Sequence, residues 1–477
     1  MQTGGPSLTR AGTGSTGPRS GPVEGRAVSN GIVAAALLAV EFIAGMQTYV
    51  LRTVVPIVGT DLHAHEYYGV ITGAAQVTMF LTMPLGPYLL QRFRLDRVLL
   101  YLTLLSVAGE TVSAVAQSAG IFVLGRAVAG LTSGALSTVS LSAIVTVLPA
   151  AWRRAVLAGY NVMWVCTSLL GPLYAGWVAS VLSWRWALVL YLPVLVAARF
   201  AIARQLTGQM QPGRGRERLP LGSACVLAGG IALLSLVGVQ GLPVGIDVAA
   251  GAAGVCVSLF AAHRLLPAGT FRVRAGRPAA IATMGLVTGA YFGAAGIIAI
   301  VVHDLLHGTT REVAFVLAGS GLAWAAAGLA VSRWPARAAR AYVRRSTLGA
   351  GLLSAGLAMT GFALFLDRTT LRVGAALVGW TVAGVGMGLL YLDTLNHIVE
   401  VPPEADGVSA QRAAASAIMV EAIATAVTST LAAAAVGLGI SAGGGKVPAA
   451  VALALTIVVA VFITWSARRV HAPESST

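Results

Sequence analysis

The sequence is cut into apolar runs of about 20 residues or more, each long enough to cross roughly 30 Å of hydrocarbon as a helix. Fourteen such runs lie at approximately 31–58, 67–90, 97–117, 120–148, 155–181, 185–205, 219–240, 246–265, 278–303, 311–333, 346–366, 372–397, 412–438 and 447–467. They are too long for membrane strands and lack the polar alternation of a barrel. The chain therefore reads as an all-α polytopic membrane protein with fourteen transmembrane helices, or twelve if 219–265 does not form two spans. Composition agrees: 57% of residues are hydrophobic and 10% charged, against about 25% charged in soluble domains.

The connections test this topology independently. One set carries Arg92, Arg94 and Arg97, then Arg153 and Arg154, then Arg199, Arg204, Arg214, Arg216 and Arg218. The same side continues with Arg264, Arg272, Arg274, Arg277, Arg333, Arg337, Arg340, Arg344, Arg345, Arg412, Arg468 and Arg469. The opposite loops hold Arg185, Arg311, Arg368, Arg372 and Lys446. By the positive-inside rule the arginine-rich side is cytoplasmic, so both termini are cytoplasmic in the cell membrane. The net charge of +15 is thus topological and does not point to nucleic acid. Residues 1–30 are rich in Gly, Ser, Thr, Pro and Arg and read as a disordered cytoplasmic tail, and 469–477 as a cytoplasmic tail. With loops of roughly 5 to 15 residues, no room remains for a soluble catalytic or sensor domain. Cys166, Cys225 and Cys256 sit singly in apolar runs, and no spacing of His, Cys or acids suggests a disulfide, a metal or a cofactor.

Three stretches are more specific. The fourth run reads GRAVAGLTSG, with Arg126, Gly130 and Gly134 four residues apart. The fifth reads TSLLGPLYAG, with Gly171, Pro172 and Gly176, followed by SWRWALVLYLP at 183–193. LLPAGTFRVRAG at 265–276 leads into the ninth run. Together these resemble the major facilitator superfamily, in particular its fourteen-helix drug:proton antiporter branch, over 31–467. The resemblance implies two six-helix bundles related by a pseudo-two-fold axis, at 31–205 and 278–468. A linker at 206–277 would hold two extra spans. A midplane cavity would be lined by the first, fourth, ninth and twelfth spans, alternately open to either side. It also implies a proton-coupling role for Arg126 and a conformational role for Gly171, Pro172 and Gly176. The family's loop after the second span usually reads Gly-x-Leu-Ala-Asp-Arg-x-Gly-Arg. Here GPYLLQRFRLDR puts Gln91 before Arg92 where the acid belongs, Arg94 at the second glycine, and Asp96 as a displaced carboxylate. In the first span Met46-Gln47 replaces the branch's Leu-Asp, and Arg52 stands at its asparagine.

Charges inside spans are costly and so mark candidate sites. Glu41 lies near mid-depth of the first span. A carboxyl there can take up and release a proton, or meet a substrate. Arg52 is eleven residues on, about three turns and roughly 16 Å along the same face. Gly45 and Thr48 continue the stripe, so a cavity-facing row is expected, although Arg52 can instead snorkel to the outer interface. Arg126 cannot lose its charge and needs an anionic partner, for which Glu41 is the first choice. Glu421 and Asp393 are further acids, the latter close enough to the cytoplasmic end to be solvated. Glu110, toward the outer end of the third span, reads as structural or interfacial. Gln47, Gly130, Tyr291, Phe292 and Trp380 complete the expected cavity lining. Trp184, Trp186 and Trp465 mark the interfacial belt.

With the resemblance, these features imply a monomeric secondary transporter, not an enzyme. Its partners would be protons, a small-molecule substrate such as a drug or secondary metabolite, and the lipid bilayer. Export is the leading expectation. The alternatives are a proton-coupled importer or symporter on the same fold, and a transport-inactive sensor or scaffold.

Overall fold

The computed structural model describes residues 23–206, 221–239, 243–400 and 410–471. All regular structure among them is helical. The helices are α1 (Val23–Asp61), α2 (Tyr68–Thr82), α3 (Leu85–Arg92), α4 (Leu95–Ala114), α5 (Ala119–Val147), α6 (Ala150–Val181), α7 (Trp184–Val189) and α8 (Leu192–Leu206). They continue with α9 (Leu221–Ser235), α10 (Val244–Leu265), α11 (Arg277–Ile300), α12 (Thr310–Arg333), α13 (Ala339–Ala363), α14 (Thr369–Val399), α15 (Ala410–Ser441) and α16 (Lys446–Val470).

Each of the fourteen apolar runs is helical. Twelve helices among the described residues are long and apolar enough to cross a membrane. The second and seventh runs fall outside that set. The second is divided into α2 and α3 at Pro84, which stands at the N-terminus of α3, and the seventh gives the 15-residue α9. The sixth run is also divided, α7 ending before Leu190 and α8 starting just ahead of Pro193. Proline is tolerated in the first turn of a helix but not in its interior. Part of the expected tail is helical, since α1 starts at Val23; residues 1–22 and 472–477 lie outside the described residues. Serine and threonine caps set several starts: Ser118 accepts from Ile121 N at 3.4 Å, and Thr309 with Glu312 forms a full capping box on α12.

The pairing of helices repeats. In the first half α1 packs on α6 and α8, α5 on α2 and α4, and α4 on α8. In the second, α11 packs on α15 and α16, α14 on α12 and α13, and α13 on α16. The pattern is that of two six-helix bundles with pseudo-two-fold symmetry. They meet through α6 against α12 and α2 against α15, and α9–α10 lies against α2 and α15. One apolar cluster crosses the boundary, with Val50, Val54 and Ile71 from the first half and Val287, Ile298 and Trp380 from the second.

Lipid gives helices no hydrophobic reason to associate, so close backbone approach supplies the contact. On α5 a Cβ at Gly125 would stand 2.6 Å from Gly109 O of α4. Added at Gly130 and Gly134, it would meet Ala75 O at 2.3 Å and Met79 O at 2.2 Å on α2. On α6, Gly171 faces Tyr49 Cβ of α1 at 2.6 Å, and Gly176 faces Ala314 Cβ of α12 at 2.4 Å. Helix α6 runs through Pro172 unbroken. Pro172 has no N–H to offer the carbonyl of Ser168 four residues earlier, and that carbonyl faces Gly321 of α12, 2.6 Å from where a Cβ would be.

Candidate functional site

Several expected residues gather in two interior polar clusters, one within the first half and one built mainly on the second. In the first, Glu110 and Arg126 follow the two glycines, Gly109 and Gly125, where α4 and α5 touch. That approach brings Arg126 Nη1 to 2.8 Å from Glu110 Oε1, with Arg126 8% and Glu110 2% exposed. The expected Glu41–Arg126 pair is therefore corrected to Glu110–Arg126. Tyr191 lies close enough to feel both charges, and its ring meets Tyr174 edge-on at 6.4 Å. Gln47 comes up against the Tyr191 hydroxyl. Five buried polar atoms here find no hydrogen bond of good geometry: Gln47 Nε2, Glu110 Oε2, Arg126 Nε and the hydroxyls of Tyr174 and Tyr191. Each such atom costs about 1–3 kcal/mol if left unpaired, which makes this cluster a candidate site.

Glu41 takes a different partner. Trp164 of α6 donates its indole N–H to Glu41 Oε1 at 2.9 Å, on an accessible face of the α1–α6 pair. The basic group acting on Glu41 is Arg199 of α8, which also donates to Ser140 at 3.1 Å.

The second cluster is aromatic. Tyr291 stacks on Trp380 with centroids 4.9 Å apart and planes 7° from parallel. Trp324 meets Tyr291, Phe292 and Tyr391 edge-on at 5.9, 5.8 and 5.8 Å. Tyr391 donates its hydroxyl to Glu421 Oε2 at 2.9 Å, and the Tyr291 hydroxyl pairs with Ser320 at 2.7 Å. From the opposite half, Arg52 enters this box. Its guanidinium lies 5.4 Å from the Phe292 ring centre and 5.7 Å from that of Tyr49, within cation–π range. Among the described residues no carboxylate stands within salt-bridge distance of Arg52, but Glu421 is near enough for the two charges to interact. Arg52 thus turns inward and does not snorkel outward.

The remaining expected residues separate. Tyr291, Phe292, Arg52 and Glu421 come together; Trp380 backs Tyr291 at 1% exposure. Thr48 lies at an accessible position and bonds Ala44 O at 3.3 Å. Gly45 and Gly130, expected on the cavity wall, are contact glycines instead, Gly45 against Thr167 of α6 and Gly130 against α2. Asp393 is not solvated: it is 2% exposed and ion-paired with Arg345 at 2.7 Å. Asp96 pairs locally with Arg94 at 3.0 Å, and Arg92 lies over the Tyr88 ring at 5.0 Å. The side chain of Gln91 is outside the described residues. Trp184, expected in the belt, is 3% exposed and bonds Asp61 at 3.0 Å. Trp324 and Tyr391 are site residues that the sequence reading passes over.

A sequence profile of the Major Facilitator Superfamily matches residues 37–405. A multidrug efflux pump of Staphylococcus aureus, SdrM, is 24% identical over 169 residues, 35% of this chain and 37% of that protein. The transporter of the acurin A biosynthesis cluster of Aspergillus aculeatus is 26% identical over 203 residues, 41% of this chain and 35% of that one. The multidrug export protein EmrB of Haemophilus influenzae is 24% identical over 183 residues, 38% and 35%. These matches span about a third of each relative's length. Among solved structures, a bacterial homologue of the lysosomal transporter Spinster superposes with a TM-score of 0.62 at 14% identity, covering 92% of this chain and 97% of that one. A POT peptide transporter bound to alafosfalin gives 0.64 at 13%, covering 92% and 96%. These likenesses establish the shared fold. A profile match across most of the sequence, on a doubled six-helix bundle, makes this chain a member of the Major Facilitator Superfamily.

Proposed function

We propose that the protein is a proton-coupled secondary exporter of small, largely apolar aromatic molecules, with its arginine-rich end in the cytoplasm. The observation supporting this most is the arrangement of Arg52 and Glu421. They come from opposite halves, they interact without a direct ion pair, Tyr49 and Phe292 of the two halves face Arg52, and Tyr391 bonds Glu421. A pair of this kind changes partners when the halves rock. The aromatic faces suit a flat apolar cargo, and a proton on Glu421 removes its attraction for Arg52. Glu41, on the accessible α1–α6 face, is a second proton-carrying group. The efflux relatives favour the export direction.

Everted vesicles with an imposed proton gradient test this. Cationic, neutral and anionic aromatic compounds are added in turn while internal pH and compound uptake are followed. Uptake of a compound coupled to proton efflux is expected. Glu421→Gln and Glu41→Gln should each reduce it at least tenfold. Uptake that persists unchanged after the gradient is collapsed would overturn the proposal.

A further inference from the structure

The two halves end their first helices in related but unequal ways. Helix α1 closes with Asp61, Leu62 and His63, the histidine at φ 49°. Helix α11 closes with Asp304, Leu305, Leu306 and His307, that histidine at φ 56°. After His63, Ala64 N reaches back five residues to Gly59 O at 2.7 Å; after His307, Gly308 N reaches back six to Val302 O at 2.8 Å. The extra residue is the π turn Val301–Leu305. One inserted residue rotates what precedes it by about 100° around the helix. The consequence is visible in the two aspartates. Asp61 stays in its own half, accepting from Trp184 and Arg185 at 3.0 and 2.9 Å. Asp304 turns across the boundary and accepts the hydroxyl of Tyr68, the first residue of α2, at 2.5 Å.

Tyr68 is fully buried. Space for its hydroxyl exists because residue 59 is glycine; a Cβ there would lie 2.3 Å from it. The other oxygen of Asp304 meets His303 Nδ1 at 2.6 Å. With Asp304 as a carboxylate, which only accepts, this contact is made by a His303 that carries its hydrogen on Nδ1 and keeps Nε2 as an acceptor. The His303 side chain is 22% exposed and that of Asp304 5%.

We propose that Tyr68, Asp304 and His303 form a proton port that latches the two halves at the end opposite the arginine-rich face. A proton arrives at His303 Nε2, forming a new N–H bond, while the Nδ1–H bond breaks and that proton passes to Asp304 Oδ1. Imidazole and carboxyl are then both neutral, with one proton gained by the pair. The bond from Tyr68 loses its charge assistance, and its hydroxyl can turn to Pro56 O, 3.4 Å away. The latch opens as the port fills.

Neighbouring ionisable groups are otherwise engaged or lie around the port. His65 sets its ring edge against Tyr68 at 5.7 Å, with Glu66 and Tyr67 in the same turn. On α12 Glu312 caps its own helix, and Arg311 points at Ser180 at 3.5 Å. Arg372 near the start of α14 holds Leu366 O, and Lys446 begins α16 beside Gly445, which contacts Leu305. His63 and His307 occupy the two turns themselves.

The proposal rests on the topology and proton coupling proposed above but is tested apart from transport. With the three cysteines replaced by alanine, spin labels are placed at Val115 and Phe365, exposed outer-end positions in opposite halves. Distance distributions are recorded in nanodiscs at pH 8 and pH 5.5. The unaltered gate should lengthen on acidification. Asp304→Asn and, from the other side of the bond, Tyr68→Phe should each raise the open-to-closed ratio at pH 8 roughly tenfold and flatten the pH response. A variant that elutes as a folded monodisperse peak yet keeps the full pH response overturns the latch, whatever the vesicle assay shows. Loss of proton-driven uptake with this response intact would instead count against the transport proposal alone.

Discussion

Replacing Glu110 by glutamine tests the corrected pairing of Arg126. In the folded protein this removes a charge held 2.8 Å from a guanidinium, with Arg126 8% and Glu110 2% exposed. Breaking a buried pair from one side typically costs about 3–5 kcal/mol, because the remaining charge stays buried without compensation. Glu110 Oε2 and Arg126 Nε already lack partners, so the pair is imperfectly satisfied and the lower figure, about 3 kcal/mol, applies. Arg126→Met should cost a similar amount, whereas the double variant removes both charges and should recover most of the loss. The coupling energy from such a cycle would then be about 5 kcal/mol. The assay is reversible unfolding of purified protein in mixed micelles across the four forms. Glu41→Gln is the control: it loses one bond to Trp164 at an accessible face, and about 1 kcal/mol is expected. Independent costs for Glu110 and Arg126, with strong coupling between Glu41 and Arg126 instead, would refute the pairing.

Further outcomes follow from other contacts. Gly176→Leu drives a side chain into Ala314 of α12, where a single Cβ is already 2.4 Å from Ala314 Cβ. The two halves should be unable to close there, seen as increased cysteine labelling at the outer end and at least tenfold slower transport. Phe292→Leu removes one aromatic face from Arg52, worth about 0.5–2 kcal/mol; affinity for an aromatic substrate should fall several-fold while Phe292→Tyr retains it. His471, beyond the last span, sits with Nε2 3.0 Å from His397 Nε2. Burial, followed by the neighbouring His397, holds its pKa below the usual imidazole value. The unfolded chain therefore binds the proton more readily, so this contribution is full above the ordinary imidazole pKa and is lost as pH falls through the lowered one. Thermal unfolding should show the native protein losing more stability between pH 7.5 and pH 5 than His471→Asn does.

Helix positions were legible because lipid imposes one rule on all of them: about 20 apolar residues and arginine at one end. Arg52 and Glu421 stood out as candidates because charges are costly within apolar spans, although which way each faces was open. What sequence spacing did not disclose was partner choice. Glu41 and Glu110 both lie within reach of some arginine, and only the contact of Gly109 with Gly125 decides which acid meets Arg126. Glycine itself was ambiguous for the same reason, since Gly45 and Gly130 mark where a neighbour comes close and not where a cavity opens. The π turn at 301–305 was hidden too, because one extra residue in an apolar helix leaves no trace in hydropathy yet redirects Asp304 to the other half.

The carbonyl of Ser168 lying against Gly321, with Gly176 against Ala314 nearby, has a kinetic meaning. Where two helices meet backbone to backbone, few side chains interlock, and sliding one past the other requires few rotamer changes. Low friction between the halves along α6 and α12 is what this packing leads us to expect. On the latch proposed above, the height of the barrier to rocking then resides in discrete bonds such as Tyr68–Asp304. A glycine bearing and a latch of hydrogen bonds thus act differently: loss of the latch changes which arrangement the halves favour, whereas bulk added to the bearing, as in Gly176→Leu, both slows their exchange and keeps them from closing.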